Sequence, residues 1–435
     1  MKEQNSIPLG KVQRAGQFLT TGVKIGANYI KHYSKKMVDN DVSVDELHED
    51  NANDIYSSLS KLKGSALKVA QMLSMDQAIL PSAYQQQFSM AQYSAPPLSY
   101  PLVVRTFNRS FGKKPNELFE TFSTSATNAA SIGQVHKATK DGMDLAVKVQ
   151  YPGVAHSIES DLAMVKPIAL RMFKLKAADF DEFIGEVKNR LFEEVDYNLE
   201  LERSMSLSES CSHIPNLVFP KYYPDYSSEK ILTMDWVDGQ PLGELLKQKS
   251  LTKEEGDRLG QAMWDFYQYQ IHTLKTVHAD PHPGNFIITT DRKLGIIDFG
   301  CVKVIPEQFY ESYFQLLDQE IMNDEERLDS LFAELNFIYP DDSRSERIFF
   351  KKIFCEMLDL LGKPFQSDQF DFSDKEYFKQ VYDLTGKLSN MPEIRNSNKV
   401  RGVKDALYIN RTYFGLYSLL HEMGARVNTK TFLPD

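Results

Sequence analysis

Cysteine is scarce in this sequence. Cys211, Cys301 and Cys355 are the only three in 435 residues, far apart and odd in number, so they form neither a disulfide framework nor a paired metal motif, and a reducing compartment follows. Long apolar runs are missing too. The longest, Tyr413 to Leu420, is interrupted by Gly415 and closed by His421-Glu422, well short of the roughly 18 residues a membrane-spanning helix needs. The start, Met1-Lys2-Glu3-Gln4-Asn5, has no apolar core ahead of a small-residue cleavage site. No secretory signal is expected, and the expected location is the cytoplasm or the periphery of a membrane. Positive charge is in deficit, with 50 Lys and Arg against 60 Asp and Glu, a net of −10. That balance argues against a general nucleic-acid binder, which needs clustered cations to displace phosphate counterions. Neither Gly, at 22, nor Pro, at 19, is in excess, which sets aside collagen-like and largely disordered chains.

The charge that is present is unevenly spread. Through Val38 the chain has Lys2, Lys11, Arg14, Lys24, Lys31, Lys35 and Lys36 against Glu3 alone, a net of +6 that leaves −16 for the remainder. Val12, Phe18, Leu19, Val23, Ile25, Tyr29 and Ile30 recur there as one broad helical face. Acidic residues from Asp39 to Asp54 read as a solvated connection. A helical pattern follows from Ile55 to Leu73, ending near Pro81, and then a loop at Ala95-Pro96-Pro97-Leu98-Ser99, where Ser99 is placed to cap a helix from Tyr100 to Phe111. After residue 115 the period changes to that of strands. Gly133 to Ala138 and Asp144 to Gln150 alternate about a turn at Gly142. Helices are expected over about 154–176 and 179–204, strands over 217–222 and 229–236, and helices again from Leu242 except for strands Phe286 to Thr289 and Leu294 to Ile297. Length alone suggests about three domains. The pattern instead divides into a basic amphipathic segment (1–38), a helical extension (39–115), a strand-bearing lobe (116–238) and a helical lobe (239–435), an α+β chain without internal repeats.

The most specific residues are His278-Ala279-Asp280-Pro281-His282-Pro283-Gly284-Asn285, followed by Leu294-Gly295-Ile296-Ile297-Asp298-Phe299-Gly300. An Asp, an Asn five positions on, and a short hairpin delivering Asp-Phe-Gly form the layout that protein kinases use for phosphoryl transfer. That chemistry needs a carboxylate beside the nucleophile, here Asp280, and hard oxygen ligands for Mg²⁺, here Asn285 and Asp298. As turn residues alone, these types in this order would be an uncommon coincidence. His278 and His282 stand at the i, i+4 spacing of zinc ligands, yet Pro281 and Pro283 oppose the helix that this pairing requires.

A kinase site also needs a cation for the phosphates. Ala146-Val147-Lys148 matches the strand lysine of that pattern, and the carboxylates of Glu193-Glu194-Val195-Asp196-Tyr197-Asn198-Leu199-Glu200 lie on a helix from which one, Glu200, can reach Lys148. Two kinase features are missing. In place of a Gly-x-Gly-x-x-Gly loop stands Asn128-Ala129-Ala130-Ser131-Ile132-Gly133 with one glycine. The backbone amides of a tight turn still cradle phosphate, so Ala129, Ala130, Ser131 and Gly133 are candidate nucleotide contacts, but the alanines crowd it. After Asp298-Phe299-Gly300 the chain reaches Pro306 and a helical pattern almost at once, leaving little platform for a peptide substrate.

These residues resemble the UbiB/ADCK (AarF-type) atypical kinase-like family. The resemblance covers nearly the whole chain through Phe18-Leu19-Thr20-Thr21-Gly22, Ala66-Leu67-Lys68-Val69-Ala70-Gln71, the alanine-rich loop through His136, Val147-Lys148-Val149-Gln150-Tyr151-Pro152-Gly153-Val154, Glu194-Val195-Asp196-Tyr197 and the two segments above. It implies a protein-kinase-like bilobal fold with an all-helical N-terminal extension packed on the active site. It also implies ATP or ADP with Mg²⁺, a Lys148–Glu200 ion pair, and metal held at Asn285 and Asp298. Lys68 and Gln71, which share a helix face at i, i+3, are by this resemblance near the nucleotide and regulatory together with Glu194 and Asp196. Ala70 departs from the family's glycine. The family's chemistry is that of ATPases or kinases of small lipid-like molecules beside membrane-bound biosynthetic enzymes, with quinone or isoprenoid-lipid pathways as the setting. The partners implied are a nucleotide and a lipid or quinone-precursor ligand; the +6 charge of residues 1–38 points either to an anionic membrane surface, where each cation contributes about 1 kcal/mol, or to simple helix packing on the helical lobe. A small-molecule phosphotransferase of the aminoglycoside or choline kinase type, and a nucleotide-regulated pseudokinase scaffold, are the competing readings.

Overall fold

The computed structural model describes residues 20, 24, 27, 28, 31, 32, 35, 44–62, 98–129, 132–173, 177–391, 393, 399 and 401–430. Lys68, Ala70, Gln71, Ala130 and Ser131, and most of residues 1–38, lie outside them. The described chain is α+β and divides into two units, one reaching Glu202 and including Lys221–Trp236, the other formed by Arg203–Pro220 and Val237 onward.

In the first unit a meander of antiparallel strands carries the core. Strands β1 (Thr121–Phe122), β2 (Asn128–Ala129), β3 (Gly133–Lys140) and β4 (Met143–Gln150) are followed by β5 (Leu217–Val218), which belongs to the second unit, and β6 (Ile231–Asp235). The order is β1-β3-β4-β6, with β2 also on β3. The β3–β4 turn has positive φ at both Asp141 (51°) and Gly142 (73°), the conformation that matches strand twist in a two-residue hairpin. Period-two alternation then sorts β4. Leu145, Val147 and Val149 join Val103 and Phe107 of the helix Tyr100–Phe111 in one apolar cluster, while Ala146, Lys148 and Gln150 take the opposite face and are also buried.

Several expectations are corrected here. The acidic stretch read as a connection is helical from Val44, in the helix Val44–Leu62. Its Asp50 and Asp54 are spent on Lys31 and Lys24, at 2.9 Å and 3.0 Å, so carboxylates that a linear reading assigns to solvent face cations of the preceding segment. The helix Tyr100–Phe111 has the expected bounds, but Ser99 makes no side-chain cap. Pro101, whose missing N–H needs no partner in a first turn, starts it instead. The two helices expected between 154 and 204 are three, Val154–Phe173, Ala177–Glu194 and Tyr197–Cys211. The break falls at Val195-Asp196, because the Asp196 carboxylate accepts from the amides of Asn198 and Leu199 at 3.1 Å and 3.2 Å and begins a new helix.

The second unit holds a four-stranded sheet in the order β5-β10-β9-β7, comprising β7 (Gly239–Pro241), β9 (Phe286–Thr289) and β10 (Leu294–Ile296) besides β5. Before β9 in the chain comes β8 (Thr276–His278), which pairs antiparallel with β11 (Val302–Val304); β12 (Gln369–Asp371) pairs with β13 (Arg426–Asn428). The strands expected over 217–222 and 229–236 are shorter, and β7, β8, β11, β12 and β13 were not anticipated, since three residues are too few to display a period. Around them lie the helix Lys253–Gln268, opened by a Thr252–Glu255 capping box and continued as the π-helix Tyr269–Leu274, and the helices Glu307–Phe314, Arg344–Gly362, Lys375–Asn390 and Lys404–Glu422. Trp264 is buried between Phe365, Phe372 and Tyr417.

Candidate functional site

In the first unit, Lys148 Nζ donates to Glu200 Oε1 at 2.7 Å, with the two side chains 9% and 3% exposed. Lys148 is held in register between Val135 on β3 and Leu232 on β6. Its ammonium also sits 5.1 Å from the centre of the Tyr197 ring. Glu200 occupies the first turn of the helix that Asp196 caps, where the helix dipole favours a carboxylate. Gln150, two residues along the same face of β4, donates from Nε2 to the Val195 carbonyl at 2.8 Å. One strand face thus addresses the whole segment 195–200. Asp196 serves that geometry directly as a cap. Glu194 ends the preceding helix and is partly exposed.

Of the alanine-rich loop, Ala129 lies on β2 opposite Gln134, and Gly133 opens β3 opposite Gln150. The glycine has a reason of its own. A Cβ at Gly133 would lie 2.6 Å from the Tyr197 hydroxyl and 2.9 Å from the Val149 carbonyl oxygen. Sequence reasoning missed its neighbours. The Leu98 amide donates to Gln134 Oε1 at 2.7 Å, Gln134 Nε2 reaches His136 Nε2 at 2.9 Å, and His136 Nδ1 reaches the Ser123 carbonyl at 2.8 Å. A carbonyl only accepts, so His136 donates from Nδ1 and accepts at Nε2. Burial holds its pKa below the ordinary range, which suits that neutral tautomer. The relay ties Leu98, just ahead of the helix Tyr100–Phe111, to the strand after the loop. The sign in the sequence was a polar pair at alternate positions, Gln134 and His136, on the strand face that also carries Ala138.

In the second unit the three candidate residues converge because two pairings feed one end. His278 lies opposite Val302, and the Ala279 amide donates to the Cys301 carbonyl at 2.9 Å. Asp280 and Asp298 therefore lie at the same end of the β8–β11 pair. Phe286 lies opposite Ile296, and the Ile297 amide donates to the Asn285 carbonyl at 3.1 Å, bringing Asn285 alongside. Asn285 Nδ2 donates to the Asp280 carbonyl at 2.9 Å and to Asp280 Oδ2 at 3.2 Å. This turns its amide oxygen the other way, the atom a hard cation takes. Asp298 Oδ1 accepts from the Gly300 amide at 2.8 Å. His278, fully buried, fixes the base of the loop. Its amide donates to Gln270 Oε1 at 2.8 Å, its Nδ1 is 3.1 Å from the Tyr267 hydroxyl, and its ring meets Phe299 edge-on at 5.7 Å. Burial lowers the His278 pKa, and the nearby carboxylates of Asp280 and Asp298 oppose that shift.

Among the described residues no group of three or more His, Cys, Asp or Glu is arranged to hold a metal. The zinc reading of His278 and His282 thus finds no third ligand among them. The set of Asn285 and Asp298 fits Mg²⁺, which binds through one or two carboxylates and completes its octahedron with water and substrate phosphate oxygens. The strand β11 is followed almost immediately by the helix Glu307–Phe314.

A buried lysine–glutamate pair on a five-stranded sheet, with a loop Asp, an Asn and an Asp-Phe-Gly hairpin in a mainly helical unit, defines a protein-kinase-like enzyme of phosphoryl transfer. The family pattern "ABC1 atypical kinase-like domain" matches residues 90–332, more than half of the chain, and the protein belongs to that family of UbiB/ADCK-type atypical kinases. Among its relatives are "Atypical kinase COQ8, mitochondrial" of Saccharomyces cerevisiae, 26% identical over 98% of this chain and 84% of that one, and "Atypical kinase coq-8, mitochondrial" of Caenorhabditis elegans, 26% identical over 88% of this chain and half of that one. A solved structure, "The complex structure of Rv3197-erythromycin from Mycobacterium tuberculosis", matches with a TM-score of 0.61 and 26% identity, over 90% of this chain and 97% of the other. Nucleotide binding goes with the kinase-like domain. No described helix is long and apolar enough to cross a membrane.

Proposed function

We propose that the protein is an Mg²⁺-dependent ATPase or small-molecule kinase serving quinone or isoprenoid-lipid biosynthesis at a membrane, rather than a kinase of proteins in trans. The observation that carries the reading is the buried Lys148–Glu200 pair at 2.7 Å. It is a costly arrangement for structure alone, because desolvating two charges offsets most of their attraction. In this reading Lys148 positions the nucleotide phosphates, Glu200 positions Lys148, Asn285 and Asp298 bind Mg²⁺, and Asp280 orients the acceptor and takes its proton. Ala129, Ala130, Ser131 and Gly133 line the phosphates, and Lys68, Gln71, Glu194 and Asp196 regulate access. The short passage from Gly300 to the helix at Glu307 supports a small acceptor, since it leaves little surface for a peptide.

The names of the mitochondrial relatives support the quinone pathway as setting, and a phenolic quinone-precursor mimic is the acceptor to try first. Titration of ATP or ADP with Mg²⁺ in a thermal-shift assay tests the core of the reading. The wild-type chain is expected to be stabilised and to hydrolyse ATP slowly, and Asp298→Asn to remove the hydrolysis. A wild-type chain with no Mg²⁺-dependent shift overturns it, and hydrolysis that survives Asp298→Asn points to a contaminant. Peripheral membrane contact through residues 1–38 is the second part of the proposal. The pairs that Lys24 and Lys31 make with Asp54 and Asp50 compete with lipid for two of its cations. Sedimentation with anionic liposomes decides between them: binding unchanged after deletion of residues 1–38 removes the membrane role.

A further inference from the structure

The helix Lys404–Glu422 lies beyond residue 332, where the family match ends, and none of the kinase motifs falls on it. It nevertheless touches all three elements that carry Asp280. At the loop itself Gly415 abuts Pro281, the residue after Asp280. A Cβ at Gly415 would lie 2.4 Å from Pro281 Cγ and 3.3 Å from the Pro281 carbonyl oxygen. Beneath the loop, the Tyr413 hydroxyl donates to Gln268 Oε1 at 3.2 Å, at the entry to the π-helix from which Gln270 Oε1 accepts the His278 amide at 2.8 Å. Beside it, Asp405 in the first turn of the helix pairs at 2.8 Å with Lys303, the middle residue of β11, whose partner β8 leads into Asp280.

The helix is itself fixed. Tyr417 donates to the Leu361 carbonyl at 2.9 Å and stacks on Trp264. Just ahead of the first turn, Arg401 grips the buried Asp342 through both terminal nitrogens, at 2.6 Å and 2.8 Å. A rigid element so anchored transmits its position to what it touches. We propose that the helix Lys404–Glu422 is a strut for the phosphoryl-transfer loop and that Gly415 is a positioning residue for Asp280. The proposal rests on the reading of Asp280 given above. Its physical content is the absent side chain: any Cβ at 415 drives Pro281 away by about 1 Å to reach ordinary carbon contact, and a misplacement of about 1 Å costs on the order of 100-fold in rate.

The test compares Gly415→Ala, Gly415→Ala with Pro281→Ala, and Leu416→Val. The last shortens a fully buried side chain on the same helix. In Gly415→Ala, kcat for Mg·ATP hydrolysis is expected to fall roughly 10- to 100-fold while KM and nucleotide affinity stay within about 2-fold. Amide exchange over 282–285 should rise in the nucleotide-free protein. Adding Pro281→Ala removes the ring carbon that the new methyl strikes, and should restore part of both. Leu416→Val should lower Tm with kcat within about 2-fold of wild type. A kcat loss in Gly415→Ala no larger than in Leu416→Val, or no recovery on adding Pro281→Ala, overturns the proposal. If the wild-type chain hydrolyses nothing, the functional reading fails by itself, and the exchange data still decide whether Gly415 holds the loop. Should Gly415→Ala not fold, Asp405→Asn loosens the same strut from its other end; unchanged exchange over 282–285 in that variant overturns the proposal equally.

Discussion

Lys148 and Glu200 are 52 positions apart in the chain and 2.7 Å apart in space, both buried, with the Tyr197 ring over the ammonium. The strand supplies one charge and a helix N-terminus the other. Removing one leaves its partner buried and uncompensated, at a cost of about 3–5 kcal/mol, whereas replacing both with apolar side chains is often nearly neutral. Lys148→Met should therefore lower the denaturation midpoint sharply. Lys148→Met with Glu200→Met should recover most of the stability and none of the Mg²⁺-dependent nucleotide binding. Recovery of both would make the pair structural.

Gly133 belongs to the alanine-rich loop, yet what constrains it is the Tyr197 hydroxyl and the Val149 carbonyl. Gly133→Ala should destabilise by about 1–3 kcal/mol through overpacking. Tyr197→Phe in that background removes the nearer atom and should return part of the loss in a urea titration. If it does not, the Val149 carbonyl is the limiting contact.

Asp196 caps the helix that presents Glu200. Asp196→Ala should cost about 1 kcal/mol, and Asp196→Ser, which keeps a capping oxygen, should restore most of it. A regulatory carboxylate behaves differently: its loss changes nucleotide affinity or hydrolysis in both variants alike, whatever their melting temperatures.

Acid sensitivity should arise in the second unit at His272. Its Nε2 is 3.1 Å from Gln268 Oε1, an acceptor, so it donates there, and its Nδ1 accepts from the Tyr310 hydroxyl at 2.8 Å. Burial first, and Lys275 second, push its pKa down from 6.5 to about 3. The unfolded chain then takes up a proton between these values while the folded chain does not. Stability is full above pH 6.5 and falls on acidification towards pH 3, by at most about 1.4 kcal/mol per pH unit from this residue. His272→Gln should flatten the dependence of Tm on pH below 6.5; an unchanged slope assigns it elsewhere, with His136 as the next residue to replace.

Much of the site was legible along the chain because kinase chemistry packs its ligands into short runs. Asp280 to Asn285 and Leu294 to Gly300 can be recognised without a fold, as can Val147-Lys148 on an alternating strand. The hairpin at Asp141-Gly142 and the helix Tyr100–Phe111 were equally readable, since turn residues and helical periodicity are local properties. Less visible was the break at Val195-Asp196. Apolar spacing runs on through Leu191 and Val195, and only the Asp196 cap shows that a new helix starts. Strands β8 and β11 escaped notice for another reason: each is three residues long, and its strand partner is the other, remote in sequence.

By itself, the order of residues determined the kind of chemistry, the identity of Lys148, Asp280, Asn285 and Asp298 as its candidates, and the α+β class, because each depends on residue type and on spacing within a few turns or strands. Tertiary structure alone decided why Gly133 and Gly415 carry no side chain, and that Lys24 and Lys31 face Asp54 and Asp50. Those outcomes depend on distances between segments remote in sequence. Such distances are set by how helices and strands fill space against one another, and no local pattern encodes them.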